Sequence, residues 1–362
     1  MNKKISIVGV GKLGLCLALN LERKGYEVIG VDVSQDYIDS LRNKTFVSDE
    51  EFVNEFLEES KNIEFTTNLS VSLKNDIIFL VVATPSLPDG NYDHQFVDKV
   101  MDDYISLGIK DKHIVICCTT MPQYCDTIAE KMSPFGCSVT YNPEFIAQGT
   151  IIRDQLRPDM VLIGQENPDK AQEIARIYED LVENTPRYAI MSRTEAEITK
   201  IALNCFLTTK IAYANMVGDV VLSAGGDPNR VLGAIGSDSR IGGKYLRFGY
   251  GFGGPCFPRD NKAFGNFAET VGVVPHISRA TDESNKHHLD QQMKNLDPSE
   301  THVFECVTYK PESTMLVESQ QLALAVKLAK TGAKVKIKER STVIEQIKKE
   351  YGNLFEYEQR DN

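Results

Sequence analysis

The stretch ISIVGVGKLG, residues 5–14, decides the fold of the first half of the chain. Its β-branched residues predict a strand that ends at Gly9, and a helical pattern begins at the end of the stretch. A GxGxxG pattern between a strand and a helix is typical of a dinucleotide-binding turn. Its glycines allow the tight turn, the approach of a pyrophosphate to the backbone, and close helix–strand packing. The stretch therefore predicts the first turn of a Rossmann domain.

An acidic residue supports the same interpretation. Asp32 follows the second predicted strand, where a carboxylate accepts hydrogen bonds from the adenosine ribose. No arginine follows it closely, and a carboxylate there repels a 2′-phosphate, so we predict NAD rather than NADP. The cofactor-binding residues predicted from this region are Gly9, Gly11, Lys12, Leu13, Gly14 and Asp32.

The first half of the chain predicts an α/β fold with a doubly wound parallel sheet. Near-continuous apolar strands separated by helices indicate a sheet that is covered on both faces. The strands are predicted at residues 5–8, 28–31, 77–82, 114–118, 138–141 and 161–164. We place this NAD-binding Rossmann domain at residues 1–192.

A long helix and a short terminal unit follow. Thr194 and Glu197 are interpreted as a capping box that begins a helix running to residue 224, which requires an extensive packing partner such as a domain hinge or a dimer core. A strand–helix–strand–helix pattern then begins near residue 298, and we expect the chain to end without further strands after its last helix. This predicts a central helical domain at residues 193–296 and a short Rossmann-like α/β domain at 297–362.

Composition excludes several classes of function. The 362-residue chain carries a net charge of −11, which disfavours binding to nucleic acid because polyanions are bound through Lys and Arg. Its longest apolar run, residues 77–83, is about a third of the length that a bilayer requires, so we expect no membrane span. The eight cysteines lack CxxC spacing; we therefore expect no metal site, no disulfide framework, and a reducing cytoplasm.

A second glycine-rich segment, GYGFGGPCFPRD at residues 249–260, contains the most distinctive cysteine. Its glycines free the backbone to approach a ligand, and two prolines stiffen the loop around Cys256. A thiol near Arg259 is a candidate nucleophile, and Asp260 is placed to handle a proton or a water. On composition alone, a tight loop with an incidental cysteine is an equal alternative.

Residues 251–260 closely resemble the signature of the UDP-glucose 6-dehydrogenase family, nucleotide-sugar dehydrogenases that oxidise a sugar CH2OH to a carboxylate. Further segments match in the same order, and together they cover roughly residues 3–340. These segments are TTMP (119–122), YNPEF (141–145), EITK (197–200) with Asn204, SRIG (239–242) and TYK (308–310).

The resemblance implies a role for each matching residue. Cys256 would form a thiohemiacetal and then a thioester with the substrate during two successive oxidations, and Lys200 and Asn204, four residues apart on one helix face, would polarise the C6 oxygen. Asp260 and Thr120 would position the water that cleaves the thioester, and Glu144 would be the general base. The implied substrate-binding residues are Glu144, Phe145, Lys200, Asn204, Arg240, Tyr245, Phe252, Gly253 and Gly254, and Thr84 and Thr120 are added to the cofactor site.

Three features depart from the family pattern. Gln148 stands where many members carry a second glutamate, and Val317 replaces an arginine often found after the TYK segment. The last domain is also expected to be short, so that part of the uridine site is missing or is supplied by a partner. Arg240 is implied to reach the substrate across the interface of a homodimer.

The sequence leaves three functions open. The first is the four-electron oxidation of a nucleotide-sugar, with UDP-glucose, a UDP-N-acetylhexosamine or GDP-mannose as the substrate. The second is a non-catalytic protein that binds a nucleotide-sugar or NAD. The third is a two-electron β-hydroxyacid dehydrogenase, which shares a Rossmann domain followed by long helices and does not use Cys256.

Overall fold

The computed structural model describes residues 3–146, 149–311 and 313–360 of an α/β protein. The described residues group into two compact units, of which the first ends at Lys200 and the second begins at Ile201. The predicted division into three domains remains a prediction.

The first unit is built on a single sheet. Its strands are β1 (Lys4–Val8), β2 (Glu27–Val31), β3 (Ile63–Thr66), β4 (Ile77–Leu80), β5 (His113–Ile116), β6 (Ser138–Tyr141), β7 (Met160–Gly164) and β8 (Arg187–Met191). Among the described residues the strand order is β3-β2-β1-β4-β5-β6-β7-β8. The first six follow the doubly wound order that places the switch point between β1 and β4, where such sheets bind ligands.

One prediction about this sheet needs correction. The sheet is parallel except at β6 and β7, which pair antiparallel through Tyr141 and Gly164. Strands β3 and β8 were not predicted, because both are short and each has an exposed residue that interrupts the apolar pattern. The remaining strands lie within two residues of the predicted bounds.

Helices cover both faces of the sheet. They are α1 (Lys12–Arg23), α2 (Gln35–Arg42), α3 (Val53–Glu59), α4 (Gln95–Ser106), α5 (Tyr124–Met132), α6 (Ile151–Leu156) and α7 (Pro168–Leu181). Strand β4 shows the two faces: Ile77 and Phe79 belong to one apolar core, and Ile78 and Leu80 belong to the other. This alternation is the reason that the buried strands are apolar at nearly every position.

The long helix α8 spans Arg193–Ser223, close to its predicted length. The prediction of its cap was wrong. Ser192 and Glu195 form the capping box, with the Ser192 N–H 2.9 Å from Glu195 Oε2 and the Glu195 N–H 3.3 Å from Ser192 Oγ. Glu197 lies two residues further along, where it is buried.

The second unit contains helices α9 (Pro228–Gly236), α10 (Phe257–Thr270) and α11 (His276–Lys294), followed by a small sheet. Strands β9 (Thr301–Phe304), β10 (Lys334–Glu339) and β11 (Glu356–Gln359) pair parallel in the order β11-β10-β9, with α12 (Gln320–Ala329) and α13 (Ser341–Tyr351) between them. Strand β11 corrects the expectation that no strand follows the last helix. It was missed because three of its four residues are charged or amide side chains and none is fully buried.

Candidate functional site

The glycines of the β1–α1 loop have different neighbours. Gly9 has a φ of 93°, and a Cβ there would overlap the Val81 carbonyl oxygen; a Cβ at Gly14 would overlap the Gly9 carbonyl oxygen. At Gly11, by contrast, a Cβ would meet nothing within 4 Å. Gly11 is also the N-cap of α1, and it has no side chain to satisfy the first helical N–H groups. The first and third glycines therefore pack the loop, and the second leaves a helix N-terminus that suits a pyrophosphate.

Two polar residues at the carboxyl edge of the sheet complete the fit to a dinucleotide. Asp32 follows β2, is half-buried, and accepts the Ser34 N–H at 3.2 Å. Thr84 follows β4 and donates its hydroxyl to the Thr119 carbonyl at 2.8 Å, which ties the ends of β4 and β5 together. The loop, the helix N-terminus and the carboxylate match the parts of NAD that a Rossmann domain holds.

Lys12 is linked to a carboxylate that the sequence did not single out. Its ammonium group lies 3.4 Å from Glu50, whose side chain is almost completely buried. Glu50 also accepts the N–H groups of Gly149, at 2.8 Å, and Ile151, at 3.3 Å. Glu50 therefore joins the cofactor loop to the segment that follows the YNPEF motif. In the sequence Glu50 stands in an acidic run, and such a run gave no reason to distinguish it from solvent-exposed carboxylates.

The YNPEF motif and Lys200 come together in the first unit. The Lys200 ammonium donates to the Glu144 carbonyl oxygen at 2.6 Å and lies 4.6 Å from the centre of the Phe145 ring. Burial raises the pKa of the Glu144 carboxyl to about 7, although the positive charge of Lys200 opposes this shift. Gln155, which was not predicted, lies 3.5 Å from Glu144 Oε1 and is held by Asn20 of α1 at 3.0 Å.

Thr120 is fully buried and bonded to Glu197. Its hydroxyl donates to Glu197 Oε1 at 2.8 Å, and the same carboxylate accepts the N–H groups of Gln123 and Cys125 at 2.7 and 2.9 Å. Burial raises the pKa of Glu197, while these hydrogen bonds lower it. Glu197 thus fixes the TTMP segment and the start of α5, and it was misread in the sequence as a helix cap.

Cys256 is the N-cap residue of α10 in the second unit, and its side chain is exposed. A helix N-terminus stabilises negative charge, which suits a thiolate. Asp260 lies one turn into the helix and is almost completely buried, with its Oδ2 2.7 Å from Asn204 Nδ2 and its Oδ1 3.6 Å from Arg259 Nε. Asn204 of α8 therefore contacts Asp260 in the first turn of the helix that follows Cys256.

Gly253 and Gly254 make close contacts within the second unit. A Cβ at Gly253 would overlap the Glu318 carbonyl oxygen, and one at Gly254, which has a φ of 80°, would lie 2.6 Å from the Tyr309 ring. The Gly254 N–H donates to the Val317 carbonyl at 3.1 Å. The segment after β9 packs so closely on Gly253 and Gly254 that a side chain at either residue would overlap it. This packing explains both glycines independently of any role in substrate binding. The Val317 side chain itself is exposed.

The other residues predicted to bind substrate differ in exposure and in contacts. Arg240 is highly exposed, with a side chain that pairs with both oxygens of Asp238 at 2.7 and 3.0 Å. Tyr245 has a φ of 61°, a conformation that is costly for an aromatic residue, and its ring meets Phe257 edge to face. Phe252 is buried, and Gln148 lies outside the described residues.

Two negative findings concern the residues that the structure describes. Within these ranges, no group of three His, Cys, Asp or Glu side chains is arranged to hold a metal ion. The helices of the described ranges also include none that is long and apolar enough to cross a membrane.

Family comparisons agree with this geometry. Residues 3–182 match the NAD-binding domain of the UDP-glucose/GDP-mannose dehydrogenase family, and residues 194–287 match the central domain of the same family. The chain belongs to the UDP-glucose/GDP-mannose dehydrogenase family. The family resemblance, the α/β fold class and the NAD cofactor predicted from the sequence are thereby confirmed.

Individual relatives place the chain within this family. It is 32% identical over 288 residues to a UDP-glucose 6-dehydrogenase of Rickettsia felis, an alignment that covers 78% of this chain and 64% of the relative. The chain therefore spans just under two thirds of that relative's length. It is 29% identical over 357 residues to UDP-glucose 6-dehydrogenase AglM of Haloferax volcanii, which covers 92% of this chain and 82% of the relative.

A solved structure resembles the whole chain. A UDP-glucose dehydrogenase from the hyperthermophilic archaeon Pyrobaculum islandicum superposes with a TM-score of 0.88 at 27% identity, covering 99% of this chain and 86% of that one. The fold of the UDP-glucose/GDP-mannose dehydrogenase family thus extends beyond the residues of the two matched domains.

Proposed function

We propose that the chain catalyses the NAD-dependent four-electron oxidation of a nucleotide-sugar CH2OH group to a carboxylate, with UDP-glucose as the first substrate to test. The observation that carries the proposal is the exposed Cys256 thiol at the N-terminus of α10, with Asp260 one turn into that helix and bonded to Asn204 of α8. Family membership and the names of the relatives support the same reaction. Two molecules of NAD would each accept one of the two hydrides that such an oxidation releases.

Cys256 acts as the nucleophile in this proposal. Its sulfur adds to the C6 aldehyde to give a thiohemiacetal, whose oxidation leaves a thioester that water cleaves to the carboxylate and the thiol. A thioester keeps the substrate in place, whereas a free aldehyde diffuses away. Asp260 is held by Asn204 and is suited to orient the water.

Lys200 and Glu144 supply charge and proton transfer in the first unit. Lys200 is the cation that stabilises negative charge on the C6 oxygen, and its contact with the Glu144 carbonyl fixes its direction. Glu144 is the general base for thioester cleavage, since a carboxylate whose pKa is about 7 accepts a proton effectively near neutral pH.

The decisive experiment supplies NAD and a panel of UDP- and GDP-sugars and measures NADH per sugar consumed. Two NADH per sugar support the proposal. Ligand-induced stabilisation without turnover indicates a binding protein instead. One NADH per substrate, retained in Cys256→Ala, indicates a two-electron β-hydroxyacid dehydrogenase, which has no use for the thiol.

The panel also separates the substrate alternatives. Two of them, a UDP-N-acetylhexosamine and GDP-mannose, differ from UDP-glucose in the group at C2 or in the base. The sugar with the highest kcat/KM identifies the substrate.

The pH dependence tests Glu144 separately. Below pH 7 the carboxyl group is protonated and cannot act as a base, so kcat is expected to fall about tenfold per pH unit and to level off above that pH. Glu144→Gln keeps the shape of the side chain, and we expect kcat to fall by about 10²–10⁴ while a thioester accumulates on Cys256. Mass spectrometry of the quenched enzyme detects this adduct. A variant that turns over normally contradicts the assignment.

A second copy of the chain is the proposed partner. Phe206, Tyr213 and Val220 are spaced seven residues apart on α8 and are 65%, 49% and 64% exposed, which forms an apolar stripe along one helix face. We expect Phe206→Glu to convert a dimer into monomers in analytical ultracentrifugation. Lys327→Glu, a change at an exposed ion pair on α12, is the control. A wild-type monomer contradicts the proposal.

A further inference from the structure

A buried polar stripe on α11 contacts the start of the loop that carries Cys256. Asn285, His288 and Gln292 follow one another at helical spacing, so they share one face of α11. Asn285 accepts the Phe252 N–H at 2.9 Å and donates to the Phe252 carbonyl at 3.0 Å, as a neighbouring strand would. The side chains of the stripe therefore provide the backbone of the loop with hydrogen bonds that a neighbouring strand would provide in a sheet.

The Gly249 carbonyl is the first anchored point of the loop. His288 Nε2 lies 2.7 Å from this oxygen, and Gln292 Nε2 lies 3.2 Å from it. On the other side, Asn215 of α8 accepts the Gly249 N–H at 3.1 Å. Two helices thus hold the backbone a short distance before Cys256.

The ring of His288 faces an acceptor at each nitrogen. Its Nδ1 lies 2.8 Å from Asp219 Oδ2 of α8, while its Nε2 faces the Gly249 carbonyl. A carboxylate and a carbonyl oxygen can only accept, and a neutral imidazole carries one N–H, so both contacts are hydrogen bonds only when the ring is an imidazolium. The residue is 2% exposed, which leaves water little access to replace either contact.

Three elements surround the ring. Asp219 is the carboxylate that α8 brings to it, and the Oδ1 atom of Asp219 is buried with no hydrogen-bond partner in the described chain. The loop brings the Phe248 ring, edge to face at 5.5 Å. On α11, His287 lines the same cavity as His288, of about 460 Å³, and contacts Gln291. His288 is therefore the residue that satisfies Asp219 Oδ2.

Helices α10 and α12 also pack against α11. Lys327 of α12 pairs with Asp290 rather than with the ring. Within the described residues, the hydrogen bonds of the His288 ring go to Asp219 and to the Gly249 carbonyl of the loop.

We propose that His288, as an imidazolium held by Asp219, is a positioning residue that anchors the Cys256 loop through the Gly249 carbonyl. A ring with a single N–H can donate to only one of these two acceptors, so the anchor requires a ring that donates from Nε2. The effect of this anchor on catalysis rests on the proposed role of Cys256. The anchoring of the loop by His288 is independent of that role.

Two matched variants separate the two ring contacts. The amide nitrogen of Gln reaches the position of Nε2, and that of Asn reaches the position of Nδ1, so His288→Gln keeps the loop contact and His288→Asn keeps the Asp219 contact. We expect hydrogen-exchange protection of residues 249–252 to stay within about threefold of wild type in His288→Gln and to fall about tenfold in His288→Asn. Equal protection in the two variants overturns the proposal.

A variant of Asp219 provides a second test that leaves the His288 side chain in place. In Asp219→Asn the new amide can donate to Nδ1 of a neutral ring and leaves Nε2–H for Gly249, so protection of residues 249–252 should stay within about threefold of wild type. A loss of protection of about tenfold in Asp219→Asn contradicts the assignment of the anchor to the His288 ring.

Steady-state kinetics distinguish this inference from the proposed function. With UDP-glucose and NAD, His288→Asn should lower kcat about tenfold and change KM less than about threefold, and His288→Gln should restore most of kcat. If wild type oxidises no nucleotide-sugar, the proposed function fails, while hydrogen exchange still decides whether His288 anchors the loop. If wild type is active and His288→Asn has the wild-type kcat, the positioning role is wrong.

Discussion

The chain contains the same β-α-β topology twice, and the two copies differ in the loop that connects the first strand to the helix. In the first unit, β1 and β2 pair in parallel around α1, and in the second, β9 and β10 pair in parallel around α12. The first copy joins its strand to its helix through residues 9–11, whereas the second uses residues 305–319. Topology is therefore shared, and the ligand chemistry depends on the connection.

The helix N-termini show the first consequence. Helix α1 begins after Gly11, which offers no capping side chain. Helix α12 begins after Ser319, whose Oγ accepts the Leu322 N–H at 3.2 Å and donates to the Val307 carbonyl at 2.7 Å. The first N-terminus is left available to an anion, and the second is capped by the protein itself.

The acidic residues at the ends of the second strands show the other consequence. Asp32 after β2 is half-buried and accepts the backbone N–H of Ser34. Glu339 at the end of β10 is fully buried, with its Oε1 2.7 Å from Arg360 and 3.3 Å from Arg340. A carboxylate used for a ribose has to remain accessible, whereas one that binds two arginines stabilises the fold.

The largest expected effect is on stability, at Glu339. Glu339→Ala removes the buried partner of two guanidinium groups, so we expect the free energy of unfolding to fall by about 3 kcal/mol, the lower end for a buried pair because both arginines are partly exposed. Chemical denaturation measures this change. The Kd for NAD should stay within about twofold of wild type, and a large rise in Kd would show that the two copies are not independent.

Gly14→Ala should affect both stability and cofactor binding. The added methyl group overlaps the Gly9 carbonyl oxygen, so the free energy of unfolding should fall by about 1–3 kcal/mol and the Kd for NAD should rise by about tenfold or more. Gly11→Ala is the matched control, because its methyl group meets nothing within 4 Å and stability should be retained. Denaturation and NAD titration of the pair measure both quantities. Equal stability in the two variants would contradict the packing role of Gly14.

The sequence predicted the first copy much better than the second. Glycine spacing, apolar strands and Asp32 are local patterns, and they were sufficient for the first β-α-β turn and for six of the eight described strands of the first sheet. Strand β11 was missed because its edge position tolerates charged residues. Family motifs are the basis for proposing Glu144 and Cys256, but Glu50 and His288 owe their place to tertiary burial. Nothing in their sequence neighbourhood distinguishes them from surface residues.

Asp32→Asn should affect the cofactor and leave the fold intact. Replacing the carboxylate weakens hydrogen bonds to ribose hydroxyls, so we expect the Kd for NAD to rise about tenfold, with the free energy of unfolding changed by less than about 0.5 kcal/mol. The preference for NAD over NADP should also narrow, because the charge that repels a 2′-phosphate is lost. Titration with both dinucleotides measures this ratio. An unchanged ratio would place the source of discrimination elsewhere.

The smallest expected effect is at the helix N-termini, where Ser319→Ala makes α12 resemble α1. Loss of the cap should lower the free energy of unfolding by about 1 kcal/mol without changing the Kd for NAD. The reciprocal change, Gly11→Ser, gives α1 a capping hydroxyl in the space where a phosphate is expected, and stability should hold while the Kd for NAD rises about tenfold. Denaturation and NAD titration of both variants give the comparison. If Gly11→Ser binds NAD as wild type does, the open N-terminus of α1 is not the feature that adapts the first copy to its cofactor.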